Sequence, residues 1–261
     1  MSEHSEPRGW WDGRLFIVLL AGAAVGAAAV VPYSLALTGT DVAELGVSLP
    51  VLILLSVAQT LVLGGIAILL GMRLGYPIGL GAPVVRRILR GGGWPWPNAG
   101  RRLGLWAGAG VAPAAVIVVL DPLLFAPVLQ GFEASGANPS AWQGLLASFY
   151  GGIFEELLLR FGLMSTLAWI LTRLSRAQVV GAWQFWTANI VAAILFGAGH
   201  LPATAAVVPL TTLVVTRALL LNGIPGVIFG WLYGRDGLLA AIVAHFSADI
   251  ILHVALPLLA G

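Results

Sequence analysis

The stretch Gly151-Gly-Ile-Phe-Glu-Glu-Leu-Leu-Leu-Arg160 sets two adjacent carboxylates and an arginine inside a long apolar segment. An ionisable side chain at the centre of a bilayer costs at least about 2.5 kcal/mol on insertion scales. These three side chains must therefore face protein or a water-filled cavity rather than lipid. The default interpretation of such a cluster is a functional site, and the rest of the chain is interpreted around it.

The composition around that stretch is that of a membrane protein. Of the 261 residues, 59% are hydrophobic and 9% are charged, which excludes a soluble globular domain with a polar coat. All 13 basic residues are arginines, and most of them are scattered among the connections between apolar runs. Nucleic-acid binding needs a clustered basic face, so no nucleic-acid partner is expected. Cysteine is absent, which excludes a disulfide scaffold, a thiolate nucleophile and a cysteine-bound metal.

Apolar runs along the chain predict an all-α, polytopic integral membrane bundle with an intramembrane polar cavity. The hydrocarbon core of a bilayer is roughly 30 Å thick and needs about 20 helical residues to span it. Residues 207–233 form either one helix kinked at Pro225 or two short helices, so the bundle has seven or eight crossings. The other predicted helices cover residues 15–37, 49–70, 103–120, 142–172 and 185–200, followed by a last helix after residue 237.

Arginines in the connections predict the orientation of these helices. The connection between Met72 and Leu103 is rich in arginine, whereas the loop from Glu133 to Ser140 has none. The positive-inside rule puts the first in the cytoplasm and the second outside, with His200 near the outer end of its helix. His245 lies about 12 Å into the last helix, and the two histidines come level if that helix starts outside. We therefore favour eight crossings with both termini in the cytoplasm. This topology places Arg235 outside, which counts against it.

Few polar residues lie outside these connections. Residues 1–14 are expected to form a short polar tail, and the apolar run that follows is too long for a signal peptide. Asp121 is interpreted as a helix-end aspartate near the water interface, with a buried pair to Arg217 as the alternative. The sequence shows no internal repeat and no segment of different composition. Residues 1–261 are therefore expected to form a single transmembrane domain.

Within the opening stretch, Glu156 and Arg160 are expected to form an ion pair. They are four residues apart, so they share a helix face in the favourable glutamate-first orientation. Glu155 is turned about 100° away from them. This geometry suggests that Arg160 holds Glu156 ionised as a brace, while Glu155 acts as a general base. The alternative is a buried ion pair with a spare carboxylate and no chemistry.

Two later helices carry histidines at the same four-residue spacing. Phe196 and His200 are neighbours on the fifth helix, and the small residues between them let another backbone approach. On the last helix His245 and Asp249 repeat the spacing, and His253 extends the stripe by a turn. Asp249 is a candidate to orient the imidazole of His245 and fix its tautomer. Each patch alone also fits a packed histidine or a polar seam between helices.

Together the three patches suggest hydrolytic chemistry of one of two kinds. Glu155 and His200 can activate a water molecule while His245 and Asp249 stabilise an oxyanion. Alternatively, Glu155, His200 and His245 hold a divalent metal such as zinc with an open water position. The chain has no His-Glu-x-x-His motif of a zincin, and it has neither a Gly-x-Ser-Gly nor a Gly-x-Gly-Asp motif.

The order and spacing of these motifs resemble the CPBP family of intramembrane proteases. That family includes the type II CAAX prenyl endopeptidases and bacterial bacteriocin-processing and immunity-associated (Abi-like) proteins. Its third motif ends in asparagine or aspartate, so Asp249 is within the pattern. The resemblance covers about residues 142–255 and rests on Glu155-Glu156-x-x-x-Arg160, Phe196-x-x-x-His200 and His245-x-x-x-Asp249.

The resemblance implies peptide-bond hydrolysis inside the membrane. We favour a glutamate mechanism without metal or other cofactor, because the fourth and fifth helices supply one histidine between them. The expected partners are the lipid bilayer and a peptide or protein substrate in or near it, in a bacterial cytoplasmic (inner) membrane. The alternatives are a non-catalytic scaffold or immunity protein of the same family, or a proton-coupled transporter. The implied roles are water activation by Glu155 and His200, oxyanion stabilisation by His245 and Asp249, and support from Glu156 paired with Arg160.

Overall fold

The computed structural model describes residues 10–260, and every regular element in that range is helical. The chain is therefore the predicted polytopic helical bundle, an integral membrane protein. Of the tail predicted for residues 1–14, residues 1–9 lie outside the described residues. Within the described range, seven helices are long and apolar enough to cross a membrane: α1 Gly13–Thr38, α2 Leu49–Ile78, α3 Ala99–Ala134, α4 Ala141–Leu174, α5 Ala182–Ala205, α6 Thr212–Asp236 and α7 Leu238–Leu259.

Several of these helices change geometry along their length. α1 consists of Gly13–Ala29 and Val31–Thr38, and α5 of Ala182–Gly199 and Leu201–Ala205. Shorter elements in the connections are the 3₁₀ turn Val42–Leu45 and the helix Pro83–Leu89. Wider π-helical turns occupy Gly71–Gly75 in α2, Tyr150–Glu155 and Leu157–Met164 in α4, and Ile250–Ala255 in α7. Such turns occur frequently at functional sites. Here one of them contains Glu155, and another begins directly after Asp249.

The preference for eight crossings was wrong, since residues 10–260 contain seven candidate spans. Residues 212–236 form one helix with Pro225 inside it. This helix returns to the end of the bundle at which α3 begins, because Arg102 Nη1 donates to Asp236 Oδ1 at 2.8 Å. Trp106 Nε1 donates to the other carboxylate oxygen at 2.8 Å. Arg235 therefore lies at the same end as the arginine-rich connection, and the charge pattern fits seven spans.

The interpretation of Asp121 as a helix-end residue was also wrong. The third span was expected to end at residue 120, but α3 continues to Ala134, with non-helical torsions at Phe125. Asp121 therefore lies inside a helix, where a lone carboxylate is costly. Arg217 of α6 satisfies it through two hydrogen bonds, from Nε at 2.8 Å and from Nη2 at 2.6 Å.

Helix α4 lies in the interior of the bundle. It contacts α1, α2, α5 and α7, and Leu157, Phe161 and Met164 in its middle are fully buried. At its start Gln143 Nε2 donates to the Pro32 carbonyl near the end of α1, at 3.2 Å. We call this end of the bundle the outer end. The charged stretch of α4 is thus surrounded by other helices, which avoids the free-energy cost of placing charged side chains in lipid.

Asp12 joins the start of α1 to the arginine-rich connection. One carboxylate oxygen accepts from the Leu15 amide at 3.2 Å and caps the helix. The other accepts from Arg86 Nε at 3.3 Å and from Arg90 Nε at 3.1 Å. Burial alone would raise the pKa of the Asp12 carboxyl, but the Leu15 amide and the two guanidinium groups outweigh burial and hold that pKa below its ordinary value of 3.8.

Loss of the Asp12 charge is expected to lower the melting temperature at neutral pH and to leave it unchanged in acid. Asp12→Asn keeps a capping oxygen but removes the ion pairs, which should cost about 1 kcal/mol, or roughly 2–4 °C in melting temperature. The folded pKa of Asp12 is depressed, so this contribution is complete above 3.8 and is lost as the pH falls through the lower folded value. Melting both proteins in detergent at about pH 7 and about pH 3 tests this. An equal difference at both pH values would contradict it.

Candidate active site

Helix α4 presents Glu155 and Glu156 to opposite sides of one imidazole ring, that of His245 on α7. His245 Nδ1 lies 2.8 Å from Glu156 Oε1 and donates to it. Glu155 Oε2 lies 3.8 Å from His245 Nε2. An α-helical period predicts that the two carboxylates diverge. They meet the same ring because the helix widens into π-helical turns at Tyr150–Glu155 and His245 inserts between them.

The two carboxylates differ in their exposure. The Glu155 side chain is 21% exposed, whereas the Glu156 side chain is 0% exposed. The Glu155 carboxylate is therefore accessible from outside the protein, whereas the Glu156 carboxylate is enclosed. The roles of base and brace stay a prediction.

Arg160 is enclosed in the same cluster, and its predicted pair with Glu156 is present. Nη1 lies 3.0 Å from Glu156 Oε1 as an ion pair, although its angle is too poor for a hydrogen bond. Nη2 donates to the Gly226 carbonyl of α6 at 2.9 Å. The guanidinium lies 4.9 Å from the ring centroid of Phe196 and 5.7 Å from that of Phe229. The charge is thus buried with a carboxylate, a carbonyl and two aromatic faces as partners.

His245 is held by Glu156 and by two aromatic rings. Phe229 stacks on it at 4.8 Å, and Phe196 approaches edge-on at 5.4 Å. Asp249 was expected to orient this imidazole, but the ring donates its hydrogen bond to Glu156, which α4 places on the other ring nitrogen. Asp249 Oδ1 lies 3.6 Å from Nε2, on the same side as Glu155. A carboxylate only accepts, so Nδ1 carries a proton and Nε2 faces Glu155 and Asp249.

His200 lies beside this cluster rather than inside it. Its ring packs edge-on against Phe196 at 4.9 Å, and its Nδ1 lies 2.9 Å from the Phe196 carbonyl. A carbonyl only accepts, so Nδ1 donates and a neutral ring keeps a lone pair on Nε2. Among residues 10–260, no hydrogen bond or ion pair joins His200 to Glu155 or His245. The structure therefore brings Glu155, Glu156, Arg160, His245 and Asp249 together and connects His200 to them through Phe196.

The residues that would hold a metal do not form a metal site in this arrangement. Within the part of the chain that the structure describes, no group of three or more His, Cys, Asp or Glu side chains is arranged to hold a metal ion. The alternative set of Glu155, His200 and His245 includes a histidine that meets neither of the others.

Three residues of the cluster were missed from the sequence. Phe229 stands among other apolar residues and gives no signal of its own, and Gly226 lies in the run 207–233, which was interpreted as one kinked helix or two short ones. A Cβ at Gly226 would lie 3.1 Å from Arg160 Nη2. Gly151 begins the stretch quoted first but received no role, although it lies four residues before Glu155. Any side chain there would overlap Asp249 Oδ2 and come within 3.3 Å of His245 Nε2.

Comparison with known families matches residues 137–251 to the model described as type II CAAX prenyl endopeptidase Rce1-like. The match includes the whole cluster from Glu155 to Asp249. It supports the resemblance found in the motifs. No curated protein and no solved structure matches the chain.

Proposed function

Since the chain belongs to the CPBP family through its Rce1-like residues 137–251, we propose that it is an intramembrane endopeptidase that uses water activated by Glu155 and His200. The observation that carries this proposal is the pair of unlike carboxylates around His245. Glu155 can touch water and stands 3.8 Å from Nε2, while buried Glu156 fixes Nδ1 at 2.8 Å. A base and an oriented donor are what addition of water to a peptide carbonyl requires.

The proposed first step adds water to the scissile carbonyl. Glu155 takes a proton from the water as its oxygen bonds to the carbonyl carbon, and the lone pair on His200 Nε2 orients the water. The carbonyl oxygen becomes an oxyanion that accepts a hydrogen bond from His245 Nε2 when that nitrogen is protonated. The Asp249 carboxylate, whose Oδ1 lies 3.6 Å from His245 Nε2, supports the positive charge on that ring.

The proposed second step breaks the peptide bond. The tetrahedral carbon expels the amine, and the proton held by Glu155 passes to the leaving nitrogen, which returns Glu155 to its carboxylate form. Glu156 and Arg160 exchange no proton in this scheme. They keep the imidazole of His245 in place between the two steps.

The proposed substrate is a peptide or protein in the bilayer or at its outer surface. His200 ends the long segment of α5 and lies toward the outer end of the bundle, away from the arginine-rich connection. If that connection is cytoplasmic, the site opens toward the exported side of a bacterial inner membrane. A prenylated cytosolic protein, the substrate type of CAAX processing, fits this orientation less well.

Cleavage by the wild-type protein is the direct test. The protein is reconstituted in liposomes with a library of membrane-spanning peptides, and the products are identified by mass spectrometry. We expect cleavage at bonds near one end of the peptide's apolar segment. Absence of cleavage for the library and for a membrane proteome would instead support the non-catalytic scaffold.

The same assay separates the two mechanisms. We expect activity to remain in protein freed of divalent metal by chelation and confirmed as metal-free by elemental analysis. Loss of activity on chelation, with recovery when zinc is added back, would overturn the proposal that Glu155 and His200 act without a metal.

A further inference from the structure

Two side chains next to the cluster have no role in the scheme above. Tyr33 of α1 and His253 of α7 both lie outside residues 137–251, the range of the family match. Their side chains meet: the Tyr33 hydroxyl lies 3.3 Å from His253 Nδ1, and the rings pack edge-on with centroids 5.5 Å apart. We propose that His253 binds a backbone carbonyl of the substrate and that Tyr33 is a positioning residue that sets the His253 tautomer. This inference rests on the proposed function.

The pair lies on the outer side of the proposed active site. His253 is one turn beyond Asp249 on α7, in the π-helical segment Ile250–Ala255. A peptide that enters from the outer end and reaches Glu155 would therefore pass His253.

The hydrogen bond from Tyr33 determines which ring nitrogen of His253 carries a hydrogen. A phenol is the stronger acid of the two neutral groups, so the Tyr33 hydroxyl donates and His253 Nδ1 accepts. A neutral imidazole has one protonated nitrogen, and Nε2 must then carry the hydrogen. No hydrogen bond to Nε2 is found among residues 10–260, and the His253 side chain is partly exposed. Nε2 is therefore a free donor suited to a carbonyl oxygen, which a substrate backbone supplies.

The backbone beneath His253 is held in place by close packing. Any side chain at Gly144 of α4 would overlap the His253 carbonyl, so α4 and α7 are in direct backbone contact here. A donor fixed on a rigid element loses little freedom when it binds a ligand. The arrangement is that of a prepared binding position rather than of a surface histidine.

The first test is kinetic. Tyr33→Phe keeps the ring and removes the hydroxyl, and we expect it to raise KM for the best-cleaved library peptide about fivefold to tenfold with kcat within about twofold of wild type, as for loss of a binding contact. His253→Ala should do the same. His253→Gln presents an amide donor that does not depend on Tyr33, so it should restore binding, and adding Tyr33→Phe to it should have no further effect.

A matched control removes a hydroxyl elsewhere. The Tyr233 hydroxyl contacts Ser165 Oγ at 2.6 Å in the interior, and Tyr233→Phe should lower melting temperature and leave KM unchanged. An unchanged KM in Tyr33→Phe, a loss confined to kcat, or additive effects of Tyr33→Phe and His253→Gln would each overturn the inference.

The second test does not depend on proteolysis. Nitrogen NMR of protein labelled at histidine should find His253 with the proton on Nε2 in the wild type, and Tyr33→Phe should raise the share of His253 rings that carry the proton on Nδ1. A wild-type His253 protonated on Nδ1 overturns the inference even if the protein cleaves peptides. Failure of the proposed function is seen separately, as absence of cleavage with the expected tautomer intact.

Discussion

Glu155→Gln is expected to reduce cleavage by about 10²- to 10⁴-fold, the usual contribution of a general base. The amide has the size of the carboxylate and cannot take a proton from water. Stability should change little, because Glu155 is partly exposed and its one ion-pair contact within residues 10–260 is the 3.8 Å approach to His245 Nε2. Initial rates on the best-cleaved library peptide and melting temperatures in detergent measure both quantities.

Asp249→Asn is the matched control for that substitution. Asp249 Oδ1 lies 3.6 Å from the same nitrogen of His245, so both variants remove one negative charge from the same place. An asparagine can still donate to an oxyanion, and the family motif accepts it, so we expect Asp249→Asn to retain cleavage within about tenfold of wild type. Cleavage by Glu155→Gln within about threefold of wild type, or equal losses in the two variants, would reject Glu155 as the base.

The features of the fold that could be predicted from the sequence are those that depend on residues close together in the chain. The second run, expected at residues 49–70, is found as the α-helical part Leu49–Leu70 of α2, which continues to Ile78 through a π-helical turn, since the helical length in a bilayer follows from the apolar length. The ion pair of Glu156 with Arg160 follows from a four-residue spacing on one helix. Local periodicity carries this information without knowledge of other helices.

The parts that were missed depend on contacts between distant helices. The apolar run ends at residue 120 in the sequence because Asp121 is polar. Arg217, 96 positions later, pairs with that carboxylate and makes it acceptable inside α3. The hydrogen bond of His245 with Glu156 joins residues 89 positions apart. The π-helical turns that bring Glu155 to the same ring have no signature in the sequence, so the expected partner of His245 was the local one, Asp249.

The largest effect on stability is expected from Arg160→Met. This change leaves Glu156 with a buried charge that only His245 can balance, and removal of one partner of a buried pair costs about 3–5 kcal/mol. The arginine is 1% exposed and Glu156 0% exposed, so neither water nor lipid headgroups can replace the lost partner. Chemical unfolding in detergent micelles, with wild type beside the variant, measures the free energy of unfolding.

Two further variants show whether this cost comes from the unpaired charge. Arg102→Met breaks a pair in which Arg102 is 32% exposed at the end of the bundle, where water screens the charge, and we expect a loss of about 1 kcal/mol with cleavage unchanged. Glu156→Leu combined with Arg160→Met removes both buried charges, and should recover most of the stability. Cleavage should nevertheless stay low in the double variant, because His245 has lost the acceptor that holds Nδ1. If stability and cleavage return together, Glu156 serves packing alone and the imidazole is oriented without it.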